Sequence, residues 1–420
     1  CSLNEALEKI EKNKQGFILI TSDIKEVIGV LTDGDIRRHL INKGNTTEKV
    51  SQIMNKKFLF EHEGVSYEDI YKKLNNGIKF IPILNKSNKL VDIITSKNIP
   101  ERKEKNFYAR AKSPVRISFG GGGSDTTAFF SKSKGAVLNA TISMYTYSTL
   151  FKRPDKKIKI YSLDLNKTLE LNSKENIDFN LNKSFNLIKA LIITLSPKFG
   201  FELHLSSDFP IGSGLGGSAC VLSSIIGCFN EFRNDKLNSY EIAEIAFEAE
   251  RLLLGISGGW QDQYATAFGG FSWIEFRKSS VIVNPILLRR ETMLELEYNL
   301  MLFRLGGSRS SSKIQKDYIK RINKNTISNE FFQKMLDIAK EMKEALLTGE
   351  VKYFADLLHE SWKTKKMMNK KVVNKFVEDS YAIARQNGAL GGKLLGAGNS
   401  GYLLIYSSPL YQKKIKKVLQ

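Results

Sequence analysis

The stretch from Phe209 to Phe229, FPIGSGLGGSACVLSSIIGCF, holds the densest chemical signal in the chain. Gly212, Gly214, Gly216 and Gly217 are interleaved with Ser213, Leu215 and Ser218, and small apolar residues follow that can begin a helix. Glycine lets backbone N–H groups approach a ligand with no Cβ in the way, and a helix start adds free donors and a positive dipole end. That combination is an anion cradle, most often for phosphate. The phosphate loop G-x-x-x-x-G-K-[ST] is excluded, because no lysine follows these glycines. Gly212, Gly214 and Gly217 do satisfy the dinucleotide pattern G-x-G-x-x-G, but the preceding FELHLSSD alternates apolar and polar residues, as a half-exposed antiparallel strand does. Taken alone, the loop also reads as a glycine-rich surface turn.

Three further places hold chemistry-bearing residues. Gly120–Gly123 are four consecutive glycines followed by Ser124 and Asp125. Either polar residue reads as a helix N-cap, yet four glycines cost so much backbone entropy that a loop lying against a ligand is the better account. Glu250 falls inside or beside the apolar arc of EIAEIAFEAERLLLG, where a carboxylate needs a cation: a nearby arginine, or Mg²⁺, which takes oxygen ligands. Asp262, in GISGGWQDQYATAFGG, reads either as an N-cap or as a base that accepts a hydroxyl proton beside a transferring phosphoryl group.

The elements that must position these residues follow from length and pattern. A chain of 420 residues needs two or three domains, and 42% hydrophobic with 26% charged residues is the composition of a globular enzyme. No run of eighteen apolar residues exists to span a membrane, and the opening CSLNEALEKIEKN is an amphipathic helix rather than a signal peptide. A chain that opens at Cys1 without Met is expected to lack its true beginning. Cys1, Cys220 and Cys228 form no C-x-x-C pair, so reduced thiols and a cytoplasmic location are expected. The net charge of +20 is scattered along the chain, which favours anionic small molecules over nucleic acid. A strand from Ser113 should lead into the four glycines. Strands over Ala136–Phe151, a lysine-rich hairpin and a helix near Phe185–Leu195 come next, and long helices fill the C-terminal part. The run KTKKMMNKK (Lys363–Lys371) reads as a solvated helix face.

The first hundred residues hold two similar units, Gly16–Leu40 and Gly77–Ile99, each a helix, a strand, a polar turn, a second strand and a short helix. The repeat resembles a CBS domain pair, an α/β unit, with SQIMNKK (Ser51–Lys57) as the link. In that family a Thr followed by an Asp three residues on holds the ribose of an adenosine ligand. Thr32 and Asp35 match, while the second copy has Thr95 and Asn98, so the resemblance implies one regulatory nucleotide site or a structural, dimerising pair. The expected organisation is residues 1–100 for the pair with its first copy truncated, 101–112 for a charged linker, 113–283 for an N-terminal lobe and 284–420 for a C-terminal lobe.

From about Phe107 onward, the three glycine motifs in their order resemble the GHMP kinases. The resemblance implies an α+β fold of two lobes, ribosomal protein S5-like and ferredoxin-like, with ATP and Mg²⁺. PIGSGLGGSA is similar to the family's P-x-x-x-G-L-G-S-S-A, so Gly212–Ser218 would hold ATP, with Ser218 and Glu250 on Mg²⁺. Asp262 matches the family's base. SPVR and Asp125 resemble a galactokinase pattern that sets Arg116 beside the reacting hydroxyl and Gly122, Gly123, Ser124 and Asp125 against the sugar. GAGNSG departs from the family's G-A-G-G-G-G at Asn399 and Ser400. The strings RISFGGGGSD, QDQYATAFGG and GALGGKLLGAG resemble a branch that phosphorylates the anomeric hydroxyl of a heptose 7-phosphate. Such a substrate brings its own phosphate, for which Arg309 and Lys393 are the candidates. The alternatives are a fucose- or galactose-like sugar 1-kinase and a nucleotide-sensing protein without turnover.

Overall fold

The computed structural model describes the chain except residues 43, 66–68, 71–72, 75–77, 96–106, 307–310, 325–326 and 328 and, at the level of side chains, 311–313, 329 and 370. It divides into two compact units, Cys1–Lys105 and Asn106–Gln420.

In the first unit, the Ser2 side chain accepts from Glu5 N and caps the helix Leu3–Asn13. Leu3, Ala6 and Ile10 of that helix share a core with Leu31 and Ile36, from the antiparallel hairpin Phe17–Thr21 and Val27–Thr32 and the helix after it. The second copy pairs Phe80–Leu84 with Leu90–Thr95, and Glu61–His62 runs parallel along the first of these strands. Phe17 and Phe80 stack at 3.5 Å, joining the copies ring to ring. Thr32 and Asp35 are brought together as a capping box for the helix Asp33–Ile41: Asp35 N donates to Thr32 Oγ1, while Thr32 N and Oγ1 both donate to Asp35 Oδ2. Burial pushes the Asp35 carboxyl up, but the Thr32 and Arg38 hydrogen bonds outweigh it and leave it below its usual range. Asn98 lies outside the described residues.

The second unit is built on one strand of 18 residues, Gly135–Lys152, where the sequence suggested several. Its first half pairs with Phe271–Arg277, its second half with Phe201–Ser207, and Tyr108–Gly120 runs along most of its length. With Ser280–Pro285, Ile158–Ser162 and Lys167–Leu171 this makes a sheet of seven strands among the described residues. The linker expected over 101–112 is therefore strand from Tyr108 onward: Ala109 is buried while Arg110 and Lys112 point to solvent, so charges alternate with small residues on a half-covered strand. Phe201–Ser207 is half-exposed as its alternation predicts, with Phe201, Leu203 and Leu205 inside; one neighbour is antiparallel and the other, Ile158–Ser162, is parallel.

Beyond residue 284, Leu300–Leu305, Gly401–Ser407 and Ala389–Leu394 form an antiparallel sheet in that spatial order. The helices Asn329–Thr348 and Val351–Met368 connect the two sheets. One core holds Phe119 and Leu138 from the large sheet, Met342, Phe354 and Leu358 from the helices, and Leu404 from the small sheet, with the Phe119 and Phe354 rings edge to face at 5.2 Å. Each such side chain removed from water contributes about 2 kcal/mol, so the glycine-rich ends of the strands rest on a stiff base.

Candidate active site

The phosphate-type loop leaves the strand Phe201–Ser207 and enters the helix Gly217–Glu231. Leu215 is fully buried and Ser213 nearly so, anchoring the loop, while Gly212 and Ser218 at its two ends are exposed. Gly216 caps the helix with no side-chain hydrogen bond, which leaves the first-turn N–H groups for a ligand. Arg116 grips the loop from below: its N–H donates to Leu215 O at 3.0 Å and its Nη1 to Gly214 O at 2.9 Å.

Arg116 also reaches Asp262. Nε and Nη2 donate to the same oxygen, Oδ1, at 3.0 and 2.6 Å. Arg116 is 4% exposed, so this charged contact is shielded from water and stronger than a surface pair. Among the described residues nothing donates to Asp262 Oδ2, which leaves one carboxylate oxygen to orient a hydroxyl. Asp262 stands in the first turn of Gln261–Phe268, whose N-cap position is Trp260, so the capping account of Asp262 is set aside.

Asp125 is tied to the same helix start. Its Oδ1 accepts from Gly123 N at 2.7 Å, and its Oδ2 accepts from the backbone and side chain of Gln261 at 3.2 and 3.1 Å. Burial pushes the Asp125 carboxyl up, and the charge of Asp262 adds to the push. It is not a cap either: Thr126 precedes the short helix Thr127–Phe130. Ser124 is fully buried and its hydroxyl bonds to the backbone of Gly121 and Ala136, so it fixes the loop rather than facing a ligand.

Glu250 is buried and accepts from Gln263 Nε2 at 2.7 Å, with Arg251 Nη1 at 3.5 Å and the Ser218 side chain near enough to favour its charged form. Burial pushes its carboxyl up, Arg251 opposes this and Asp262 adds to it. The helix is wound as a wide π turn over Glu248–Leu253, and such turns are frequent at functional sites. Within that turn Arg251 lies beside Glu250. No cluster of three or more His, Cys, Asp or Glu forms among the described residues. A divalent ion here would rest on Glu250 and Ser218, and the excess of burial over compensating charge at Glu250 fits one.

One expected residue is not where an open phosphate contact would need it. Lys393 is interior, 5% exposed, and its Nζ donates to Phe119 O at 2.7 Å; burial pulls its ammonium far below its usual range. Arg309 lies outside the described residues. Four site residues were missed by sequence reasoning. Gln261 and Gln263 flank Asp262, and each has a buried, unpartnered Oε1. The Tyr318 hydroxyl, also unpartnered, lies against Gly123. Lys365 belongs to the run read as a solvated face, yet its Nζ donates to Leu394 O and Gly396 O at 3.2 and 2.7 Å, and Thr364 and Met368 beside it are buried. Only Gln261 and Gln263 carried a signal, as neighbours of a singled-out Asp between glycine-rich flanks.

This arrangement can be set beside known proteins. The N-terminal domain of GHMP kinases matches residues 185–270, and the CBS domain matches residues 1–42 and 50–102. The D-glycero-alpha-D-manno-heptose 7-phosphate kinase of Campylobacter jejuni is 38% identical over 315 residues, covering 74% of this chain and 93% of that protein. The crystal structure of a D-glycero-D-manno-heptose 1-phosphate kinase from Bacteroides thetaiotaomicron superimposes with a TM-score of 0.60 at 31% identity, covering 74% and 92% of the two chains. Galactokinase from Lactococcus lactis, solved with galactose, gives a TM-score of 0.57 over 77% and 91% of the chains; at 21% identity it speaks for the fold alone. With its glycine loops, buried carboxylates and a relative of this identity, the chain belongs to the GHMP kinases, as a sugar kinase preceded by CBS domains.

Proposed function

We propose that the protein transfers the γ-phosphoryl group of ATP to the anomeric hydroxyl of D-glycero-α-D-manno-heptose 7-phosphate. The observation that carries this reading is the Arg116–Asp262 pair, set between the loop Gly212–Ser218 and the loop that ends in Asp125. ATP phosphates would rest on Gly212–Ser218, and the sugar against Gly122, Gly123 and Asp125. Mg²⁺, held by Glu250 and Ser218, would supply positive charge to the phosphates. Asp262 Oδ2 is free to take or orient the hydroxyl proton, while Arg116 holds Oδ1 and offsets the charge that develops. Positioning and electrostatics, rather than a covalent intermediate, then account for the acceleration. The heptose assignment draws its support from the 38% identical relative. A heptose 1,7-bisphosphate of this kind serves nucleotide-activated heptose synthesis.

Phosphorus NMR of the protein with Mg-ATP and the heptose 7-phosphate is expected to show a new anomeric phosphate. Asp262→Asn should lower kcat by about 10³-fold, within the range for general-base catalysis, with ATP affinity little changed. Retained turnover removes Asp262 from the base role. One observation favours a second reading, an unphosphorylated sugar: Lys393, expected to hold the substrate's own phosphate, is interior. Turnover of free fucose or galactose, and none of the heptose phosphate, would establish it.

A further inference from the structure

Three cations meet beneath the phosphate-type loop. Arg116 rises from the strand Tyr108–Gly120, Lys393 from Ala389–Leu394 and Lys365 from the helix Val351–Met368, each within Coulomb reach of the others. Among the described residues the carboxylate in contact with this group is Asp262, and both of its hydrogen bonds are to Arg116. Lys393 donates to a carbonyl. Lys365 donates to two, Leu394 O and Gly396 O. Carbonyl dipoles orient an ammonium but do not neutralise it, and a buried cation without an anion is costly. An ammonium has three N–H donors; among the described residues no oxygen takes the third of Lys365, whose Nζ also stands 5.9 Å from the centre of the Trp362 ring.

Position narrows what the missing anion is. Gly396, which Lys365 holds, is pressed on the phosphate-type loop: a Cβ added there would stand 2.7 Å from Gly214 Cα and Gly214 O. Gly214 O is also the acceptor for Arg116 Nη1. Lys365 therefore holds the loop that presses on the same backbone segment Arg116 grips, and Arg116, the residue paired with Asp262, is the charge nearest to it. Lys363 of the same helix is exposed, and Lys366 pairs with Glu378 at 2.8 Å, so neither shares this role.

We propose that Lys365 is a further catalytic residue, its free N–H donating to the γ-phosphoryl oxygens during transfer. The proposal rests on the reading of Arg116 and Asp262 given above. In the step, the bond from γ-phosphorus to the β-phosphate bridging oxygen breaks, a bond to the sugar oxygen forms, and the hydroxyl proton passes to Asp262. Lys365 keeps its protons throughout. Burial and then the charge of Arg116 pull its ammonium down to about 8, so its charge is lost as pH rises through that value. Arg116, Lys393 and, through Arg116, Asp262 are the charged groups that face it.

The test compares the wild-type chain, Lys365→Met and Lys366→Met, with binding of ADP and of the imido analogue of ATP measured by calorimetry in Mg²⁺. Lys365→Met keeps the apolar stem. It is expected to bind ADP as wild type does and the imido analogue about 10-fold more weakly, with kcat lowered about 10²-fold, the loss typical of one missing donor to developing charge. Lys366→Met should match wild type throughout. Wild-type kcat/KM should fall above about pH 8, and Lys365→Met should lose that limb. An equal change in both affinities, or none, overturns the proposal and leaves Lys365 as a staple of the Gly396 loop. If wild type turns over no heptose 7-phosphate, the substrate reading fails while the two nucleotide affinities still decide Lys365. If Lys365→Met does not fold, the wild-type pH profile decides, and a profile flat to pH 9.5 overturns the role.

Discussion

A Cβ added at Gly121 would stand 2.0 Å from the carbonyl oxygen of Ala136, whereas one added at Gly212 meets nothing within 4 Å. Both residues have positive φ, +78° and +77°. These two positions thus use one residue type for different reasons. In the loop proposed to face the sugar (the sugar-side loop), the protein itself fills the space at two glycines: Ala136 presses on Gly121 and the Tyr318 hydroxyl on Gly123. In the loop proposed to hold phosphate (the phosphate-side loop), the backbone at Gly212 bends as glycine permits and the space above it stays open. A run of glycines marks close approach, and only the structure says whether protein or ligand approaches.

The contrast can be broken by substitution. Gly121→Ala should cost about 3 kcal/mol or more, since neither the Ala136 carbonyl nor a left-handed φ can be relieved by a side-chain rotation; urea unfolding measures it. Gly212→Ala meets only the backbone term and should cost about 1 kcal/mol, with its larger effect on nucleotide affinity. Equal losses of stability at the two positions would dissolve the distinction.

A smaller effect sharpens it. The sugar-side loop holds a buried carboxylate, Asp125, whose pKa is raised by burial, and the phosphate-side loop holds none. Between the ordinary carboxylate range and that raised value the folded protein binds a proton that the unfolded chain does not. Stability contributed by Asp125 therefore falls as pH rises through this window and returns on acidification. Urea midpoints at several pH values should show wild type gaining on Asp125→Asn as pH falls; a constant difference would remove the buried carboxylate from the account.

What the sequence made legible were residues whose signal is local. Gly212–Ser218, Asp125 and Asp262 lie in or beside glycine-rich turns, where backbone geometry and ligand chemistry are written in adjacent letters, and the alternation of Phe201–Ser207 disclosed its half-exposed strand. Lys365 and Tyr318 sit on helices whose inward face is set by packing against segments far away in the chain, so their neighbours in sequence say nothing of them. The run Lys363–Lys371 shows why: Lys363 faces water, Lys365 faces inward and Lys366 pairs with Glu378. Composition averages over those directions. The start of the strand at Tyr108 was hidden in the same way, by charges alternating with a buried Ala109.

The wide turn at Glu248–Leu253 acts as a gauge. An α-helix rotates each successive side chain by about 100°, so whether Glu250 faces Ser218 or the solvent is a matter of a single residue of chain length. In evolutionary terms, substitutions along this helix can accumulate while the turn is kept, but the loss of one residue upstream of Glu250 would swing the carboxylate away from the phosphate-side loop and leave the fold standing. On the metal role proposed for Glu250, a family member with an intact glycine loop and a helix shortened there would bind nucleotide without transferring phosphate.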